Sequence, residues 1–554
     1  MGWRAAFRLG SVAYRELSFQ AIYATRQGQP LPEAAATDDL GRTAARRVRE
    51  SKLLVSALLA GISAVAATAL SPRVQIFLGP EVAPPLYQAA VLATALLLEL
   101  SLLWTTGLQI LPTFLGSRIL PTLAVLPIPP ADRDRVALLL FLRTFDLPAL
   151  TVLLLLPLFT GIALGNAAAG LALVPGAGAT VLLAFALALA TGDHFVRRVQ
   201  GSPTGHRATA LRWGYLVLWA VPAFAIYAFV SFGPELLRAL AALAATDPNG
   251  LTALLLCFPF PYALLPALAA TPSAGALGLG AGATDLLLVA AAAYAGPLAL
   301  VARWLLAAPG RLALAAADTD PRAPAARRLR VRPPAVAVLV KDLRIASRSP
   351  AFGYVVLLPL LEAVVLGAST FVNSPGPLTV FRLGVAAVAT SALLATFFGP
   401  VFFATELMGS AYVRSLPLAP RSVVLGKTAL LVAVYAASAL LLVGFTAARV
   451  VAPAILLLFV LAELPALLAA GLFEMAFLFR VSVGRELGLT NLYTGARWAT
   501  AAALPGLALA GGPLLLYALE PERLPGIGLM ALLALGELAA VVPVARWWTR
   551  RWRR

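Results

Sequence analysis

Residues 406–428 read ELMGSAYVRSLPLAPRSVVLGKT, a polar interruption between two long apolar runs, 381–405 and 429–447. An acid (Glu406) is followed by Gly409, Arg414, the pair Leu416-Pro417, a second proline (Pro420) and Lys427. Each proline lacks an N–H and clashes with the turn before it, so Pro417 and Pro420 forbid one continuous helix. The stretch predicts a short helix over 406–415, a sharp break, and a new membrane helix starting near Arg421. A rigid knuckle of this kind, held between spans, can receive a mechanical push. The first half carries a fainter copy: Leu126-Pro127-Ile128-Pro129-Pro130 matches Leu416-Pro417-Leu418-Ala419-Pro420, again between two apolar runs, 86–111 and 136–164. Two copies at matching positions predict an internal repeat.

Composition sets the class. Of 554 residues, 60% are hydrophobic and only 12% charged, with a mean hydropathy of +0.88. A soluble domain carries about 25% charged residues, so the chain is expected to be an integral, multi-pass membrane protein. The single cysteine, Cys257, excludes an internal disulfide, and the two histidines, His194 and His206, share a loop without a cysteine or carboxylate cluster. No metal site is expected. Met1–Lys52 has no early apolar core, so no cleavable signal peptide is expected.

A span needs about 20 mostly apolar residues. Runs of that kind fall at 53–70, 86–111, 136–164, 167–191, 213–232 and 284–307 in the first half. The second half has them at 353–372, 381–405, 422–447, 454–479, 498–518 and 525–545. A thirteenth, 251–270, is interrupted by Pro259, Pro261 and Pro266. Cytoplasmic loops are rich in Lys and Arg. With twelve crossings and both termini inside, all but six of the 43 basic residues fall on the inner face. If 251–270 crossed, the Arg-rich segment 303–348 would move outside. Residues 233–282 are therefore read as an outer elaboration whose helical hairpin dips into the bilayer without crossing. The net charge of +18 is thus an orientation signal and a contact with anionic lipids. Nucleic acid is not expected, since no aromatic-rich basic groove accompanies the charge.

Residues 1–25 alternate apolar positions with Arg4, Arg8 and Arg15 at near-helical spacing, as a helix lying in the membrane interface would. After a Pro/Arg-rich linker (311–335), Val336, Leu339, Val340 and Leu343 form a second apolar stripe with Lys341 and Arg344 offset from it. Arg15-Glu16-Leu17 recurs there as Lys341-Asp342-Leu343, and Arg212-Trp213 recurs as Arg497-Trp498. The predicted fold is all-α: two parallel six-span halves, 1–310 and 336–554, each preceded by an amphipathic interfacial helix.

This pattern resembles the permease subunits of type-2 ABC exporters, in the long twelve-span form with two fused halves found among polyketide and antibiotic export permeases. The resemblance implies that Glu406, Gly409, Arg414, Leu416, Pro417, Pro420 and Lys427 form the loop that docks on an ATPase. It implies a weaker counterpart at Leu126, Pro127 and Pro130, where Gly116 stands in place of the acid. It implies a partner ABC ATPase in two copies that binds ATP and Mg, with no cofactor on this chain. Gly426-Lys427-Thr428 is no phosphate loop, because Arg421 stands where the first glycine is required.

Glu99, Glu362 and Glu463 lie well inside apolar runs. An acid at mid-membrane costs about 2.5–3.5 kcal/mol, so each is either a candidate pathway residue or an acid neutralised by protonation or a neighbouring hydroxyl. Arg143 and Asp146, three apart, are expected to pair on one helix. Two other classes are weighed. A proton-coupled secondary transporter with two six-span halves would carry a Gly-Asp-Arg-Gly-Arg type loop, where this chain has only ADRDR (131–135). A membrane-embedded enzyme would carry paired-Asp or Glu-Glu motifs, which are not found.

Overall fold

The computed structural model describes residues 3–23, 34–72, 83–115, 128–195, 245–270, 283–317, 333–346, 419–446 and 524–552. Scattered positions between 74 and 243 and between 357 and 472 are also described. Among the described residues the regular structure is helical throughout: α1 (Trp3–Tyr23), α2 (Ala34–Ala69), α3 (Pro84–Leu115), α4 (Pro130–Thr144), α5 (Asp146–Ala163), α6 (Ala167–Phe195), α7 (Pro248–Leu255), α8 (Phe260–Ala270), α9 (Ala283–Ala293), α10 (Ala295–Ala317), α11 (Pro334–Ala346), α12 (Pro420–Thr446) and α13 (Leu524–Trp552). The chain divides into two compact units. The first comprises 1–21, 32–202 and 228–322, and the second chiefly Ala323–Arg554.

Five described stretches are long and apolar enough to cross a membrane: Pro84–Gly107, Asp146–Ala163, Ala167–Gly192, Asp285–Leu306 and Ser422–Phe445. The run 498–518, and most of 213–232, 353–372, 381–405 and 454–479, lie outside the described residues.

In the first unit, α3 and α6 run side by side in the same direction, with α5 and α2 against them. Lipid offers no hydrophobic drive for helix association, so close backbone approach through small residues holds such a bundle. Gly107 on α3 meets Ala188 on α6 so closely that a methyl at Gly107 would stand 2.6 Å from the Ala188 side chain. Gly161 and Gly170 bring α5 onto α6 in the same way. The turn between those helices places Gly165 at φ +61°, a conformation that suits glycine. Asn166 then accepts from the Ala168 N–H (2.9 Å) to start α6 and donates to the Ala269 carbonyl (3.1 Å) at the end of α8.

One expectation about helix continuity is corrected. Residues 136–164 do not form one helix, because the chain breaks at Phe145 (φ −116°, ψ 10°) between α4 and α5. Pro148 is the reason: it has no N–H for the Thr144 carbonyl and is tolerated only in the first turn of a new helix. Arg143 and Asp146 therefore sit on different helices, and they do not pair.

Residues 248–270 form two short helices, α7 and α8, meeting at 103°. Asp247 caps the first, accepting from the Gly250 N–H (3.0 Å), with Pro248 opening it. The bend packs on α9 through Tyr262, whose hydroxyl donates to the Ala291 carbonyl (3.1 Å). Tyr294, at the break between α9 and α10, accepts from the Phe258 N–H and donates to the Leu256 carbonyl, each at 3.0 Å.

Candidate functional site

The predicted docking loop ends where α12 begins, at Pro420, whose fixed φ suits a first helical position. Glu406, Gly409, Arg414, Leu416 and Pro417 lie outside the described residues, as do Leu126 and Pro127. Pro130 is exposed and opens α4, as Pro420 opens α12.

Lys427 is not on an accessible loop, and here the structure corrects the sequence reading. It lies two turns inside α12, only 1% exposed, and its ammonium meets Asp342 Oδ2 of α11 at 3.2 Å. Asp342 is fully buried, and the Lys341 ammonium lies 3.3 Å from its second oxygen, Oδ1, without making a hydrogen bond to it. The residue before Lys427 makes this contact possible. A methyl group on Gly426 would stand 2.7 Å from the Ala335 carbonyl and 2.8 Å from Val338 Cβ. Helix α11 therefore packs Ala335, Val338 and Asp342 onto α12. Val336 and Arg344 on its other side stay exposed.

The first unit has a differently built joint. Arg8, Val12 and Arg15 are exposed on α1, and the Arg4 side chain lies outside the described residues. Gly10 of α1 packs on Leu139 of α4. Arg143, at the end of α4, donates to the Ser11 hydroxyl and stacks its guanidinium over the rings of Phe7 and Tyr14, 5.5 Å from each centroid. Lys52 of α2 covers Tyr14 (4.8 Å), donates to the Arg143 carbonyl and pairs with Asp146 at 2.7 Å. Glu16, the counterpart of Asp342, is exposed, and Leu17 beside it is buried. At the start of α4, Asp132 pairs with Arg135 (2.9 Å), and the Asp134 carboxylate fills the space above Gly310 of α10.

The mid-span acids are all buried. Glu99 and Glu463 are fully buried and Glu362 is 5% exposed, so none presents its carboxyl to open space. A fourth acid was overlooked in the sequence reading. Glu537 on α13 is 4% exposed, with neither oxygen hydrogen-bonded, while Leu535 and Leu538 beside it are exposed. Its position inside the run 525–545 was the available signal. Asp342 stood out in the sequence only as part of the Lys341-Asp342-Leu343 repeat, and its pairing with Lys427 was not foreseen. Among the described residues no group of His, Cys, Asp and Glu could hold a metal ion.

A family model described as "Membrane protein of 12 TMs" matches residues 81–517, well over half of the chain. The chain belongs to that family. No curated protein and no solved structure matches it. Membership in the twelve-span family establishes a polytopic all-α membrane protein with twelve spans. The matched stretch contains Glu99, Asp342, Lys427, Glu362 and Glu463, whereas Ser63 and Glu537 lie beyond its ends.

Proposed function

We propose that this twelve-span protein is the permease of an ATP-driven exporter of the type-2 ABC kind, working with a separate ATPase that binds ATP and Mg. Two copies of that ATPase push on 112–135 and 406–419, and the two halves swing between inward- and outward-facing states. The chain resides in the cytoplasmic membrane with both termini inside. The halves are parallel repeats, with α1 and α11 as their interfacial helices.

The observation that carries this reading is the joint between α11 and α12. Helix α11, which leaves Val336 and Arg344 exposed, is clamped, through Gly426 and the buried Asp342–Lys427 pair, onto the first two turns of the helix that emerges from the 406–419 loop. A push delivered to that loop reaches the interfacial helix and the span together. The loop flank in the first half neutralises itself through Asp132 and Arg135, which supports unequal contacts with the two ATPases.

The test is charge reversal at Glu406. Glu406→Lys is expected to abolish co-purification with the ATPase and ATP-dependent export from vesicles, while membrane insertion is retained. Intact association and export in the variant would overturn the assignment of the loop. One observation, the buried acid Glu99, favours a second reading as a proton-coupled secondary transporter. Transport by the purified chain alone, driven by a proton gradient, would establish that reading in place of the first.

A further inference from the structure

Glu99 sits near the middle of the Pro84–Gly107 span and is fully buried. Its one polar contact among the described residues is Ser63 of α2, also fully buried, whose hydroxyl oxygen lies 2.8 Å from Oε1. The same hydroxyl lies 3.1 Å from the Leu59 carbonyl oxygen, the contact a helical serine makes with the residue four before it. The second carboxyl oxygen, Oε2, has no hydrogen-bond partner.

A hydroxyl has one proton and two acceptor sites. When Ser63 gives that proton to the Leu59 carbonyl, which accepts only, the 2.8 Å contact to Glu99 requires a proton on the carboxyl. In the other arrangement Ser63 donates to an ionised Glu99, which is then held by a single hydrogen bond. An isolated buried carboxylate of that kind is far costlier than a neutral acid. The buried residues one turn away are apolar: Ala95, Leu96 and Leu103 on α3, Leu59 and Ala66 on α2.

Ionisable groups on the elements packed around α3 are engaged elsewhere or lie at the helix ends. Lys52 and Asp146 pair with one another. Tyr87 and Tyr262 donate to the Ala69 and Ala291 carbonyls. His194 and Arg303 are exposed on α6 and α10. A metal cation does not fit as the occupant, since the Glu99 carboxyl, the Ser63 hydroxyl and the Leu59 carbonyl offer four oxygens at most, short of about 6–8 ligands for calcium or 6 for magnesium.

We propose that Glu99 and Ser63 form a proton-binding site inside the first unit. The carboxyl is a neutral acid that donates to the Ser63 oxygen, and it keeps its proton while α2 and α3 stay packed. Loss of the proton breaks the carboxyl O–H bond and needs water as the acceptor, so parting of α2 from α3 releases one proton. The site stands independently of the exporter reading.

Infrared difference spectroscopy on the purified full chain in lipid nanodiscs tests it. At near-neutral pH, wild type minus Glu99→Gln is expected to show the C=O stretch of one protonated carboxylic acid per chain. Ser63→Ala, which leaves Glu99 in place, is expected to move that band to higher frequency as its hydrogen bond is lost. Carboxylate stretches in the first difference, or an acid band that Ser63→Ala leaves unmoved, would overturn the proposal. Should Glu99→Gln fail to fold, the serine variant decides alone, because a missing or unshifted acid band contradicts the site and a shifted one supports it.

Discussion

Lysine occupies only three of the 43 basic positions, 52, 341 and 427, and all three are ion-paired to an aspartate at the joint of a leading helix with a span. The choice has a physical basis. An ammonium is a compact point charge, whereas guanidinium is a broad planar fork needing several acceptors. Lys427 is only 1% exposed, so a guanidinium in its place would need those acceptors inside the packed joint. Removing one member of a buried pair leaves an uncompensated charge at a cost of about 3–5 kcal/mol, while replacing both by apolar residues is close to neutral. Lys427→Met is therefore expected to lose monodispersity and unfold at lower temperature in detergent, and Lys427→Arg to be nearly as harmful. The double variant Asp342→Leu/Lys427→Met should recover most of the loss. Thermal unfolding followed by size-exclusion chromatography measures all three. A double variant no better than Lys427→Met would mean that the pair is not an isolated charge couple.

At the scale of elements, Tyr294 ties the hairpin α7–α8 to the break between α9 and α10, next to the Tyr262 bond to Ala291. Tyr294 both receives from the Phe258 N–H and gives to the Leu256 carbonyl, bridging the two sides of the 103° bend. Tyr294→Phe keeps the ring and strands both backbone groups, each at about 1–3 kcal/mol. Hydrogen–deuterium exchange at 256–260 is expected to accelerate in the variant, and an unchanged rate would show that the hairpin holds without the bridge. The bend itself was legible in the sequence, because Pro259, Pro261 and Pro266 crowd an apolar run that charge placement would not let cross. The break at Phe145 was not. Pro148 was visible, but hydropathy alone does not distinguish a kinked span from two helices. At Gly426-Lys427 the sequence reading set aside a phosphate loop and placed Lys427 in the docking loop. A glycine and a lysine in tandem are compatible with many roles, and only the packing of Ala335 and Val338 shows that the glycine makes room and the lysine finds Asp342. Glu99 was found from its position, but the serine that holds it lies 36 residues away in sequence, and a single chain gives no way to pair them.

For the whole molecule the decisive property is sidedness. In the first unit, Lys52, Arg143 and α1 gather at one end of the bundle, where α2 enters and α5 starts. The bent pair α7–α8 packs at the opposite end, against Leu86 and Tyr87 of α3. The basic end faces the cytoplasm if Lys and Arg set orientation as they do in other membrane proteins, which puts the entry to α7 outside. Cys257 is the only cysteine, and Cys257→Ser gives a cysteine-free background. In it, Thr246→Cys, at an exposed position just ahead of α7, is expected to react with a membrane-impermeant maleimide added to intact cells. In that cysteine-free background, a cysteine placed in the linker by Arg322→Cys should react only after permeabilisation. An ATPase can push only on loops that share its compartment. Labelling of the linker from outside would therefore remove the 406–419 loop from the cytoplasm along with it, and with that loop the exporter mechanism.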